Sequence, residues 1–207
     1  MKKVFFIAVA MIVAMSANAQ FSNGGNSSDE IKNFNEVYFQ YGPHSLSADG
    51  HTESGYNGFT LGYNKAISIM STAPLYFKVG GNIRFNTYSK DQGKYEYKFK
   101  TFAVNVPLSI AYDFNIPNSD FTIEPYAGLN FDVYAWGENK YTDSHDSETE
   151  DIFSGDDAPS RFQLGWHIGA NVAFRQVFLG FQYGTDFTEF GEKCHFNKPE
   201  IRLGYRF

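Results

Sequence analysis

Charged side chains at strand spacing are the first residues of this chain that could do chemistry. Arg84, Glu124, Asp132, His167, Arg175, Glu200, Arg202 and Arg206 each occupy a polar position in a segment whose alternate residues are apolar. Gathered on one enclosed face, carboxylates and guanidiniums interlock as ion pairs, because an unpaired charge out of water is too costly to keep. On a wet face the same groups would line a pore or relay protons. The interlocked plug is the expectation. A second group is the acidic run Gly137–Ser160, with Glu138, Asp143, Asp146, Glu148, Glu150, Asp151, Asp156 and Asp157 against the single base Lys140. It lacks the Asp-x-Asp-x-Asp-Gly spacing of a preorganised calcium loop and reads as a solvated acidic loop. His44, His51, His145 and His195 fall between the alternating segments, with Cys194 beside His195. No pair has short metal-ligand spacing, so neither a metal site nor a cofactor is expected. Ser144 and His145 are neighbours without a supporting acid pattern, and no catalytic residue is assigned.

The elements that must position these groups are strands. From Phe102 to Phe114 every even residue is large and apolar, and the odd residues between them are small or polar. Side chains alternate faces along a strand, so the segment has one greasy and one polar face. Thirteen residues at about 3.3 Å each span roughly 40 Å, and a tilted membrane strand needs about 9–11 residues. Eight such segments can be read: Asn35–Tyr41, Tyr56–Ile67, Pro74–Tyr88, Tyr95–Phe114, Phe121–Trp136, Arg161–Arg175, Val177–Gly184 and Pro199–Phe207. Long connections, at Gly42–Gly55, Ser89–Lys94, Gly137–Ser160 and Thr185–Lys198, alternate with generally shorter ones at Ser68–Ala73, Asn115–Asp120 and Arg175-Gln176. That rhythm predicts an all-β fold: an eight-stranded antiparallel up-and-down transmembrane β-barrel with short periplasmic turns and longer extracellular loops. Ile110 and Leu129 should face lipid, and Asn105 and Asn130 the lumen. Pro107 lies mid-strand, where a bulge or bend is expected. Glycines crowd the polar face, as a narrow interior requires. A soluble lipocalin-like barrel with its apolar face inward is the competing fold.

The N-terminus reads as a secretory signal peptide over residues 1–19. Lys2 and Lys3 precede the apolar run Val4–Met15, and Ala17-Asn18-Ala19 offers a cleavage site before Gln20. Residues 20–34 form a flexible lead-in and residues 35–207 the barrel domain. Removing residues 1–19 takes Lys2 and Lys3 and no acid, moving the net charge from −6 to −8. Such acidity argues against a nucleic-acid partner. The lone Cys194 excludes an internal disulfide.

Four segments carry a family resemblance: Val104-Asn105-Val106-Pro107-Leu108, Glu124-Pro125-Tyr126-Ala127-Gly128, Gly165-Trp166-His167-Ile168-Gly169-Ala170-Asn171 and Gly204-Tyr205-Arg206-Phe207. Together they resemble the small outer-membrane β-barrels of the Bacteroidota, the OmpX-like and porin-like families. The resemblance implies the cell outer membrane and a monomer among lipid and lipopolysaccharide. It also implies a terminal Phe207 that the barrel-assembly machinery recognises. It transfers no catalytic residue. The functions it leaves open are a structural or interaction barrel working through its loops, a narrow porin for small solutes, and a lipid-modifying enzyme.

Overall fold

The computed structural model describes residues 31–48, 51–91, 93, 95–143, 146–155, 158–190 and 194–207. The signal peptide and most of the lead-in lie outside the described residues, as do Ser144, His145, Asp156 and Asp157. Eight long strands follow one another: β1 (Phe34–Ala48), β2 (His51–Ser68), β3 (Leu75–Asp91), β4 (Tyr95–Tyr112), β6 (Phe121–Asp143), β8 (Phe162–Phe174), β9 (Val177–Asp186) and β10 (Cys194–Arg206). Two short ones, β5 (Phe114–Asn115) and β7 (Ser147–Asp151), pair with β6. Each long strand pairs antiparallel with the next, and β10 returns to β1 with Phe39 opposite Leu203 and Tyr41 opposite Ile201. The sheet closes into a ring, which removes the unpaired edges an open sheet would expose.

Alternation decides which face is which. Ile110 and Leu129 are 47% and 41% exposed, whereas Asn105 and Asn130 are buried. Phe39, Leu61, Phe85, Ile168, Leu179 and Leu203 join the outward set, and that continuous apolar exterior is far larger than a water-soluble monomer tolerates. The lipocalin-like alternative, with its apolar face inward, is overturned. Inside, the packing is close. A Cβ on Gly128 would collide with the Leu108 carbonyl, and one on Gly62 with the Tyr38 ring.

Pro107 does not produce the expected bulge. It keeps register with Asn130 of β6, while the β3–β4 ladder lapses between the Val79–Leu108 and Asn82–Asn105 pairs and resumes unshifted. A residue without an N–H is tolerated by omitting pairs instead. The bulge lies further along, where β6 inserts Ala135 between the partners of Phe102 and Ala103.

The connections at one end are tight, with Asn118 and Arg175 in the left-handed region at φ 57° and 55°. At the other end the expected loops are largely strand. Residues 42–48 and 51–55 extend β1 and β2, and β6 runs 23 residues to Asp143. At about 3.3 Å per residue β6 reaches roughly 75 Å, about twice what a tilted membrane strand uses, so its second half stands outside the membrane. There β7 folds back on it, with Tyr141 opposite Glu148 and Glu138 opposite Asp151. Within the acidic run, residues 138–142 and Ser147–Asp151 are therefore paired strands rather than loop.

Candidate functional site

Within the ring the inward residues form two ionic tiers. Near the tight-turn end, Arg206 pairs with Glu36 (3.1 Å), Asp113 (3.2 Å) and Glu124 (2.8 Å). Lys78 bridges the same two glutamates at 2.7 and 2.9 Å. Arg202 reaches Glu36 at 3.4 Å and lays its guanidinium 3.7 Å from the centre of the Tyr38 ring. Higher up, the Arg84 Nη1 donates to both oxygens of Asp132, at 2.9 and 3.1 Å. Lys198 joins Asp132 (3.2 Å) to Asp186 (2.7 Å). Glu200 accepts from Gln40 and Gln182 and faces His44 Nε2 at 3.2 Å. The inward acids Glu36, Asp113, Glu124, Asp132, Asp186 and Glu200 face the cations Lys78, Arg84, Lys198, Arg202 and Arg206. Signs are nearly matched, so the interior holds itself together and leaves no queue of like charge for an ion to follow.

Above the ionic tiers is an aromatic plug. Tyr56, Tyr88, Phe99, Tyr134, Phe190 and Phe196 are buried together, and Leu46, Tyr97, Ile152 and Phe153 pack against them. Tyr56 stacks on Tyr88 with centroids 4.4 Å apart, and Phe190 meets Phe196 edge-on at 5.2 Å. Ile152 and Phe153 belong to the acidic segment, which thus turns two apolar residues into the mouth. Its acids Asp143, Asp146, Glu148, Glu150 and Asp151 stay exposed. Beside the plug, Glu53 accepts from the Tyr88 hydroxyl (2.6 Å) and Lys90 (3.0 Å). Those two hydrogen bonds hold its carboxyl below the usual carboxylate range.

Of the expected interior set, Arg84, Glu124, Asp132, His167, Glu200, Arg202 and Arg206 lie inside. Arg175 does not. Strand β8 ends at Phe174, and Arg175 occupies the turn, its exposed guanidinium on Asp120 at 2.9 Å. The inward parity simply fails one residue past the strand. Conversely His44, Lys198 and Asp186, which the sequence pattern places in connections, lie inside. They continue the even-numbered inward parity of Glu36–Gln40, Glu200–Arg206 and Phe178–Gln182, which was the signal available for them. Phe207 points outward beside Tyr205, and its N–H and carbonyl pair with Asn35 at the closing seam. Ser109 meets His167 Nε2 at 2.8 Å, a pairing across strands. His167 Nδ1 has no partner among the described residues, so no carboxylate orients the imidazole as nucleophilic catalysis requires. Among the described residues no cluster of His, Cys, Asp and Glu is arranged to hold a metal.

No protein-family model matches the chain, and no curated protein matches it by sequence. Solved structures do. The attachment invasion locus protein Ail of Yersinia pestis superposes with a TM-score of 0.54 at 14% identity, over 85% of this chain and 99% of that one. Its complex with the heparin analogue sucrose octasulfate gives 0.52 at the same identity and coverage. Neisserial surface protein A follows at 0.48, 14% identity and 84% and 97% coverage. The fold is that of a small bacterial outer-membrane β-barrel. With a closed ring and a lipid-facing exterior, the chain is an integral barrel of the cell outer membrane.

Proposed function

We propose that this barrel passes no solute and acts as an interaction protein through its extended outer hairpins. The observation that carries the reading is the double closure, in which ionic tiers across the lumen lie beneath an aromatic plug at the mouth. A narrow porin would need a continuous wet path, and eight strands enclose only enough space for side chains. The test is planar-bilayer recording of the purified protein. A silent bilayer is expected, and stable, reproducible openings would overturn the sealed reading in favour of the porin.

Three further roles belong to this proposal. Phe207, fixed at the seam with its ring toward lipid, serves as the signal read by the barrel-assembly machinery; its replacement by Ser should lower the folded yield in cells. Lipid and lipopolysaccharide are the surroundings of a monomer. The four motif segments support a place among the Bacteroidota barrels. The Ail complex holds a sulfated sugar analogue, but the exposed acids of the β6–β7 hairpin repel polyanions, so the same ligand is not carried over here.

A further inference from the structure

The outward end of the mouth holds a cavity of about 660 Å³, floored by Tyr56 and walled by Tyr95, Tyr97, Tyr141, Glu53 and Lys90. A second, open cavity of about 540 Å³ shares Glu53 and Lys90 and continues along His51, Ser54 and Ser89. From this geometry we infer a binding site for a neutral saccharide, a reading that rests on the proposal that the barrel works through its outer hairpins.

The chemistry of the walls selects that class. Tyr95 and Tyr141 are 60% and 52% exposed, large apolar surface set in otherwise polar, water-facing hairpins. Tyr141 is already braced by Tyr97, with ring centroids 4.9 Å apart, and Tyr97 is anchored through its hydroxyl to Asn139 at 2.9 Å. Tyr97 and Tyr141 are thus held in place before any ligand arrives, which lowers the ordering cost of binding. The hydroxyls of Tyr56, Tyr95 and Tyr141 have no hydrogen-bond partner among the described residues. Glu53 receives both its bonds on Oε1, leaving Oε2 open. Flat apolar faces interleaved with single donors and acceptors match a sugar ring, which has C–H faces and a rim of hydroxyls able to donate and accept. Lys90 is paired with Glu53, so the cavity itself holds no unpaired charge to anchor an ion. The nearby acids Glu148 and Glu150 disfavour an anion.

The shared chemistry fits glycan of the cell's own envelope or glycan of another organism, and the test separates the two. The full barrel in lipid nanodiscs is applied to an array bearing neutral, sialylated and sulfated oligosaccharides, together with the O-polysaccharide of the producing bacterium. The neutral oligosaccharide that binds best is then titrated by calorimetry. Binding to at least one neutral saccharide is expected, weakened about three- to tenfold by Tyr95→Ala or Tyr141→Ala and about tenfold by Glu53→Gln. Because all three side chains are at the exposed rim, the heat-modifiable folded band should persist in each variant. Capture of the bacterium's own polysaccharide assigns an envelope ligand, and capture of array glycans alone assigns a foreign one. The inference is overturned if no neutral saccharide binds, if only charged glycans bind, or if affinity is unchanged in all three variants. A silent bilayer alongside that failure would leave the sealed-barrel reading standing.

Discussion

The lower lumen and the outer mouth close the same cylinder by opposite means. Below, Arg84, Asp132, Lys198 and Asp186 form a chain of buried charges in which each ion faces a counter-ion in the next. Above, Tyr56, Tyr134, Phe190 and Phe196 fill the space with rings that need no particular partner. An ionic tier fails sharply when one member is lost, because the remainder are charges without counter-ions. An aromatic plug fails gradually, by the area and the cavity each ring leaves. The difference suits the positions. The rigid tiers hold the strands in the membrane, and the plug joins hairpins that project into water.

The sharpest way to break this contrast is Asp132→Ala. It strips the main counter-ion from Arg84 and half the bridge from Lys198, and should cost about 3–5 kcal/mol. Urea unfolding followed by the folded gel band would measure it. Replacing the pair together, with Arg84→Met and Asp132→Leu, should recover most of that loss, because Lys198 keeps Asp186 at 2.7 Å. If the double variant is no better than the single one, the tier is held by shape rather than by charge.

In the plug, Phe190→Ala should cost about 2–4 kcal/mol by the same assay, with no partner substitution able to rescue it. Deleting Asp143–Asp157 is a gentler test of the same region. The deletion removes the exposed acids and the half-buried Ile152 and Phe153, but no membrane-spanning segment. The folded band should persist with a loss of about 1–3 kcal/mol, and the bilayer should stay silent because the ionic tiers remain. Loss of the band would make the hairpin a condition of assembly. Openings without loss of the band would move the seal from the tiers to the plug.

How much of this was legible follows the same division. In the membrane each strand has a lipid face and a packed face, so alternation from Phe102 to Phe114 or from Phe162 to Phe174 reads directly from residue types. Outside it, both faces of a strand meet water, and Thr52, Glu53 and Ser54 carry no periodicity to mark β2 as already begun. From sequence alone the outer hairpins therefore read as loops. His44 and Lys198 fell into that error although they continue the inward parity of their strands. Arg175 is the opposite case: its sequence parity continues past a strand end that only the backbone geometry reveals. The partners of each charge were not legible at all. That Lys78 lies between Glu36 and Glu124 depends on the register and on closure of the ring.

The smallest expected effect tests whether the rim is stabilising or simply available. Glu53 and Lys90 are paired at 3.0 Å but nearly half exposed, so solvent screens them and Glu53→Gln should change stability by no more than about 0.5 kcal/mol. The sign of its pH dependence follows from the lowered carboxyl. In the unfolded chain the group titrates near its ordinary 4.5, and in the folded barrel it holds its charge to lower pH. Its contribution is thus fully present above about pH 4.5 and declines only as the pH falls through the lowered folded value. Between pH 5 and 8 the unfolding midpoints of wild type and Glu53→Gln should run parallel, converging slightly on further acidification. A gap of more than 1 kcal/mol at neutral pH would make the Glu53–Tyr88–Lys90 group part of the plug's framework. The contrast between a structural interior and a rim left free for ligand would then have to be redrawn inward of it.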